Sequence, residues 1–312
     1  MHHLFKQLGK WLKQQKLYYL TGSSRLVKHV KSTKLDFRFM RNNLIDFPAL
    51  ELTLDIKKDW HVLQNIKLLS ILNGQCGCTF KREESGGISI AANSVKYFIR
   101  SFEDIVLLGE ILIKRDYALS LPRESVIVDV GMNNGHSALY FAAKPKVVKV
   151  IGYEPFLPTY EIAKNNIKLN KELAAKIETR NYGLGEANIE MDCDYSYENT
   201  AGAGVKGILG RADNVIKERI KIKAVSKEIK NIKEIYSENC IVMKIDIEGS
   251  EFEVIESLAK QGLIADIDIF IIEWHEKSPE PIIDNMLASG FTVFCSDSFE
   301  AKAGMLYAFR IV

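Results

Sequence analysis

Seven short strand-like stretches, all but 177–181 apolar and most of them separated by helical patterns, order the second half of this chain: Val126–Val128, Val147–Tyr153, 177–181, Ile241–Ile247, Ile267–Trp274, Phe291–Cys295 and Met305–Val312. Continuous apolar runs of this length suit parallel strands covered on both faces. Helical spacing follows most of them. Ser137–Ala143 follows the first run, and Tyr160, Ala163, Ile167 and Leu169 carry a helix to about Asn170 after the second. Ser250 and Glu253 read as a capping box after the fourth run, and Ser278 caps a helix with Pro279 at its first position after the fifth. The last two runs are joined by a polar loop alone, which predicts a terminal antiparallel hairpin. The long segment Glu186–Val225 alternates short runs with glycines and predicts extra strands and a loop around Asn199–Gly207, a mobile cover or an ordinary surface loop.

The first third has a different texture. Phe5, Leu8, Trp11, Leu12 and Tyr19 recur at helical spacing with lysines between them, a short basic amphipathic helix. Such a helix either lies on an anionic membrane surface or docks on its own domain with its lysines in water. Asp59–Asn73 predicts a helix with Trp60, Leu63, Ile66, Leu69 and Leu72 inward and Gly74 just past its end. Gly86–Phe98 alternates as a short hairpin would, and Ser101 with Asp104 caps a further helix. The expected division is therefore a mainly helical extension over 1–120 and an α/β domain over 121–312.

Chemistry concentrates in Val126–Phe156. The first run carries Asp129, and Gly131-Met132-Asn133-Asn134-Gly135 follows as a tight turn before a helix. The second run ends on Glu154, where an acid can meet ribose hydroxyls. Strand, glycine loop, helix, strand and acid together predict a nucleotide-type ligand. A dinucleotide loop usually carries a third glycine inside the helix start. Here the loop reads G-x-N-x-G instead, and the terminal hairpin also departs from a standard dinucleotide fold.

DVGMNNG followed by YEP resembles the opening of the FkbM family of Rossmann-like methyltransferases, and Met243-Lys244-Ile245-Asp246-Ile247-Glu248-Gly249-Ser250-Glu251 resembles its other hallmark. The resemblance covers roughly Val126–Val312. It implies a mostly parallel sheet flanked by helices, with the C-terminal hairpin at its edge, and S-adenosylmethionine as cofactor. It implies that Gly131, Asn133 and Gly135 cradle the methionine part, with Asp129 near its amino group or holding the loop. Glu154 then meets the ribose, and Asn181, Tyr182 and Gly183 lie beside the adenine. An aspartate the family commonly carries before its fourth strand is absent from Ala224-Val225-Ser226-Lys227-Glu228. The acceptors implied are hydroxyls on glycans, glycoconjugates or secondary metabolites.

Residues two apart share a face of a strand, so Lys244 and Asp246 point one way, as do Glu273 and His275. Asp246, Glu273 and His275 are the candidates for acceptor binding or deprotonation, with Asp246 favoured because its strand lies nearer the loop in the family sheet. Converging acids and an imidazole also suit a divalent cation, although no metal is expected. A nicotinamide-dependent oxidoreductase and a non-catalytic membrane-associated module are the alternatives.

Composition narrows the setting. The chain has 312 residues and ordinary apolar and charged fractions of 47% and 26%. Its five cysteines form no paired C-x-x-C units with histidine partners, which predicts reduced thiols in a cytoplasm rather than disulfides or zinc. Through Arg41 there are ten bases against Asp36 alone, a local charge of +9, so the rest carries −7 to reach the net +2. This imbalance suits peripheral contact with the inner membrane surface. A small-molecule or glycan acceptor is expected, and no nucleic acid.

Overall fold

A computed structural model describes residues 2–33, 35–84, 86–197, 200, 202–208, 214–296 and 302–310, with only the helical backbone given for residues 2–9. The chain divides into two compact units, Met1–Arg115 and Asp116–Val312.

The first unit opens with helices α1 (His2–Thr21) and α2 (Ser24–Thr33). It holds more strand than its sequence pattern shows. Arg38–Phe39, Leu44–Phe47 and Leu52–Asp55 form one antiparallel sheet, and Thr79–Arg82, Ile88–Ala92 and Val95–Ile99 form another. Strands of four residues offer only two inward positions each, as in Leu52–Asp55, too few for alternation to stand out. The helix expected over 59–73 is broken at Asn65, whose side chain donates to the Phe102 carbonyl at 3.1 Å. It ends three residues later than expected: Gly74 lies inside it, and Gly77, at φ +64°, is the residue in the left-handed conformation. At Ser101 the capping box forms, with the Asp104 N–H donating to Ser101 Oγ and the Ser101 N–H to Asp104 Oδ2, both at 3.1 Å.

The second unit is built on a sheet of β1 (Ser125–Val130), β2 (Val147–Tyr153), β3 (Ile177–Arg180), β4 (Cys240–Ile245), β5 (Ile269–His275), β6 (Thr292–Cys295) and β7 (Ala303–Phe309), in the order β3-β2-β1-β4-β5-β7-β6. Only β7 runs against its neighbours; β6 pairs antiparallel with β7 and so shares the direction of β5. Helices α3 (His136–Ala142), α4 (Leu157–Lys168), α5 (Val225–Ile235), α6 (Glu251–Lys260) and α7 (Glu280–Ala288) flank it. Val126, Val128 and Val130 of β1 and Ile241, Met243 and Ile245 of β4 pack with Val225 and Ile229 of α5 and Val254 and Leu258 of α6 in one core. Within Glu186–Val225, Ile189–Tyr195 pairs antiparallel with Ile216–Ala224, which pairs in parallel with Gly183–Gly185. The expected loop around Asn199–Gly207 falls partly outside the described residues, as do the expected contributions of Phe5, Leu8 and Val312.

Candidate functional site

The sheet switches direction of travel between β1 and β4, and the carboxyl ends of these strands carry the site, as open α/β sheets dictate. In parallel register Asp129 of β1 stands opposite Lys244 of β4 and Gly152 of β2. The Lys244 Nζ lies 3.3 Å from Asp129 Oδ1 and 3.4 Å from Asp246 Oδ2, and donates to the Gly131 carbonyl at 2.7 Å. Burial alone would pull the Lys244 pKa down, but the charges of Asp246 and Asp129 outweigh it and the pKa is raised. Asp129 also accepts the Ser137 hydroxyl at 2.7 Å. Asp129 thus ties β1 to the helix that follows the loop.

The loop itself is shaped by close approach. Gly131, at φ +79°, lies so near the chain of β4 that a Cβ there would stand 1.9 Å from the Asp246 carbonyl oxygen. No other residue fits that space or that conformation. The N–H groups of Gly131 and Met132 both donate to the Tyr153 carbonyl, and Gly135, at φ +80°, turns the chain into α3. Asn133 sits at φ +46°; its amide donates to the Thr200 carbonyl at 3.4 Å while its buried Oδ1 meets no hydrogen-bond partner among the described residues.

Glu154 follows β2 and is 5% exposed. Burial pushes its carboxyl up to about 7, against the opposing N–H groups of Phe156 and Asn133 that it accepts. Asn181 does not present its amide to the loop. It donates to the Glu154 and Pro155 carbonyls at 3.0 and 3.2 Å and so fixes the turn carrying Glu154. Tyr182 packs edge-on against Tyr153, with the Lys223 ammonium 3.8 Å over its ring. Gly183 pairs with Ile222, and a side chain there would meet Ile222 and Pro155. Beside them Glu228 of α5 binds Arg180 and accepts the Tyr153 hydroxyl at 3.2 Å.

The second cluster lies just past β4 and at the end of β5. Asp246 is one residue beyond β4, where its Oδ2 accepts the Tyr117 hydroxyl at 3.2 Å. His275, 8% exposed, places Nδ1 3.0 Å from Glu251 Oε1, and its Nε2 lies 3.6 Å from Glu248 and 3.8 Å from Glu273. Burial by itself would lower the His275 pKa, but the Glu251 hydrogen bond and the charges of Glu248, Glu251 and Asp246 raise it to about 9. The expected Ser250–Glu253 capping box is not made. Ser250 makes no capping bond, and Glu253 pairs with Lys206 at 2.7 Å. The fully buried Glu251 substitutes, with Oε1 accepting the N–H groups of Ile247 and Gly249, both at 3.1 Å, so one carboxylate closes the turn and holds the histidine.

Asp246, Glu273 and His275 each offer a ligand atom within 4.8 Å of the others, a set able to hold a divalent cation when the imidazole is neutral. Sequence reasoning missed Tyr117 and Glu251. Tyr117 is 129 residues from its partner Asp246, and Glu251 lies in the hallmark run without any local sign that it reaches β5.

A seven-stranded sheet with one reversed strand next to its edge, carrying a glycine loop and an acid at the carboxyl ends of β1 and β2, defines the Rossmann-like methyltransferase class. The methyltransferase FkbM domain matches residues 129–293, more than half of the chain, and the chain belongs to that family. The family uses S-adenosylmethionine, which leaves the nicotinamide alternative without support. Methyltransferase sdnD of Sordaria araneosa is 23% identical over 231 residues, covering 65% of this chain and 88% of that protein. The AMB antimetabolite synthetase AmbE of Pseudomonas aeruginosa is 22% identical over 187 residues, covering 50% of this chain, and the match spans only 9% of that protein. A solved methyltransferase FkbM from Methylobacillus flagellatus aligns with 64% of this chain and 47% of its own at 18% identity and a TM-score of 0.43.

The residues present fit this cofactor. The Asn133 Oδ1 is an acceptor for an ammonium or hydroxyl, and the Glu154 carboxylate is an acceptor for vicinal hydroxyls.

Proposed function

We propose that this protein transfers a methyl group from S-adenosylmethionine to a hydroxyl of a small molecule, on a glycan, glycoconjugate or secondary metabolite. The observation that carries this reading is the packing of Gly131 against the backbone of Asp246, which brings the cofactor loop and the Asp246–Glu273–His275 cluster side by side. One relative's name, an antimetabolite synthetase, supports a metabolite as acceptor.

When bound, the cofactor supplies the activated methyl carbon. Asn133 and Glu154 hold it by hydrogen bonds, and Asn181 keeps the Glu154 turn in place; Tyr182 and Gly183 line the adenine side. A hydroxyl must lose its proton as it attacks. His275 takes precedence over Asp246 for this step. Asp246 Oδ2 is engaged by Tyr117 and Lys244, whereas His275 Nε2 lies beyond hydrogen-bond distance of Glu248 and Glu273 and is backed at Nδ1 by Glu251. The hydroxyl proton passes to Nε2, and Glu251 stabilises the imidazolium that results. Asp246 and Glu273 orient the acceptor hydroxyl.

Single-turnover transfer of labelled methyl to a panel of hydroxylated acceptors tests the reading. His275→Ala should lower the rate by about 10²–10⁴-fold, and Asp246→Asn by less, with cofactor affinity by calorimetry nearly unchanged in both. Full activity in His275→Ala removes the proton-acceptor role, and transfer to amines alone removes the hydroxyl.

A further inference from the structure

The helix α1 turns its aromatic side away from its own unit. Leu17 is fully buried, Lys13 reaches back to Asp36 and to the Phe37 carbonyl, both at 3.0 Å, and the Lys16 ammonium lies 4.7 Å over the Phe39 ring. These contacts define the docked side. On the other side Trp11, Leu12, Tyr18 and Tyr19 are 53%, 54%, 50% and 87% exposed. At about 100° per residue these four positions fall within an arc of roughly 120°, and Leu17 falls opposite its centre. Lys13 and Lys16 bind back to Asp36, Phe37 and Phe39 while keeping much of their surface in water, and the aromatic rings face outward.

We propose that this outer face of α1 is a docking surface for an anionic lipid bilayer, on which the helix lies in the plane of the headgroups. Three features select lipid as the occupant. Trp and Tyr carry an apolar ring with a polar edge, the side chains that settle at the boundary between acyl chains and headgroups. The first 41 residues hold ten bases and one acid, complementary to phosphate headgroups. Arg25, Lys28 and Lys31 of the adjoining α2 are all exposed, spaced by three along a helix whose Leu26 and Val30 are buried. No helix among the described residues is long and apolar enough to cross a membrane, so the contact is peripheral. The surface is independent of the reaction assigned to the second unit. It would hold the enzyme where an acceptor carried on a lipid is presented.

Co-sedimentation of the full chain with vesicles of phosphatidylcholine, alone or mixed with phosphatidylserine, tests the proposal. Binding should require phosphatidylserine and fall as salt rises through the range in which the Debye length shrinks to about 10 Å and below. Trp11 fluorescence should shift to the blue with the anionic vesicles and not with the neutral ones; Trp11→Phe identifies its contribution. The triple variant Trp11→Ser, Leu12→Ser, Tyr19→Ser should weaken vesicle binding by roughly tenfold or more, with its melting temperature and calorimetric affinity for S-adenosylmethionine unchanged. Absence of sedimentation at low salt overturns the proposal, as does undiminished binding by the triple variant. A dimer in sedimentation equilibrium that the triple variant dissolves, with no vesicle binding, assigns the face to a second copy of the chain instead.

Discussion

Glu251 Oε1 stands 3.0 Å from His275 Nδ1, although the two residues come from the first turn of one helix and the last position of a strand. The same oxygen accepts two backbone N–H groups of the turn between Asp246 and Ser250. One buried carboxylate therefore holds the imidazole in its orientation and closes the turn bearing Asp246.

Glu251→Gln should separate these functions. The amide retains an acceptor for the turn but withdraws the charge that raises His275. A histidine raised from 6.5 to about 9 must lose its proton before it can act, so the wild-type rate should climb as pH rises toward about 9. In the variant that limb should move toward 6.5 while the plateau falls by about 10²–10⁴-fold. An unmoved limb, measured under single turnover, would show that Glu251 does not act through His275.

Glu154 gives a second pH dependence of opposite origin. Its carboxyl, raised to about 7 by burial, is neutral below that pH and charged above it. Affinity for S-adenosylmethionine should increase as pH rises through about 7, and Glu154→Gln should flatten the dependence. Glu154→Ala should lose on the order of 10- to 150-fold in affinity, the worth of hydrogen bonds to a charged acceptor. The linkage to stability runs the other way. A carboxyl with its folded pKa above the unfolded value of 4.5 favours folding below 4.5, and that contribution is lost as pH rises through about 7. Titration calorimetry and urea unfolding across this range check both.

Lys244→Met should be the costliest of these changes for the fold. It leaves Asp129, fully buried, without its cation, and breaking one side of a buried pair costs about 3–5 kcal/mol. The double variant Lys244→Met, Asp129→Asn should recover a large part of that loss in urea unfolding, because the two sites are in contact and not additive. Equal destabilisation in single and double variants would assign the effect to the lost Gly131 bond.

Chelation should leave methyl transfer intact. The Glu251 hydrogen bond and the neighbouring acids favour the protonated imidazole, and a proton on Nε2 competes with a cation for that place. Activity that disappears in EDTA and returns with Mg²⁺ or Mn²⁺ would reassign Asp246, Glu273 and His275 as ligands.

Much of the second unit was determined by sequence alone. Apolar runs of three to eight residues between helical patterns suit a parallel sheet, and Gly131 and Gly135 sit where the turn demands positive φ. The family hallmarks made the cofactor loop legible. The first unit was less so, since its strands have only two to five residues each and carry little periodicity. What only the tertiary structure decided is the set of pairings between distant residues. Asp129 and Glu154 differ in their partners: one is tied to Lys244 and Ser137, the other accepts the backbone N–H groups of Phe156 and Asn133. Glu251 displaced Ser250 as the capping group, and its bond to His275 crosses 24 residues. Spacing along a chain specifies which face a side chain occupies. Which charge it meets there depends on the register of strands brought together by folding, and no local pattern encodes that.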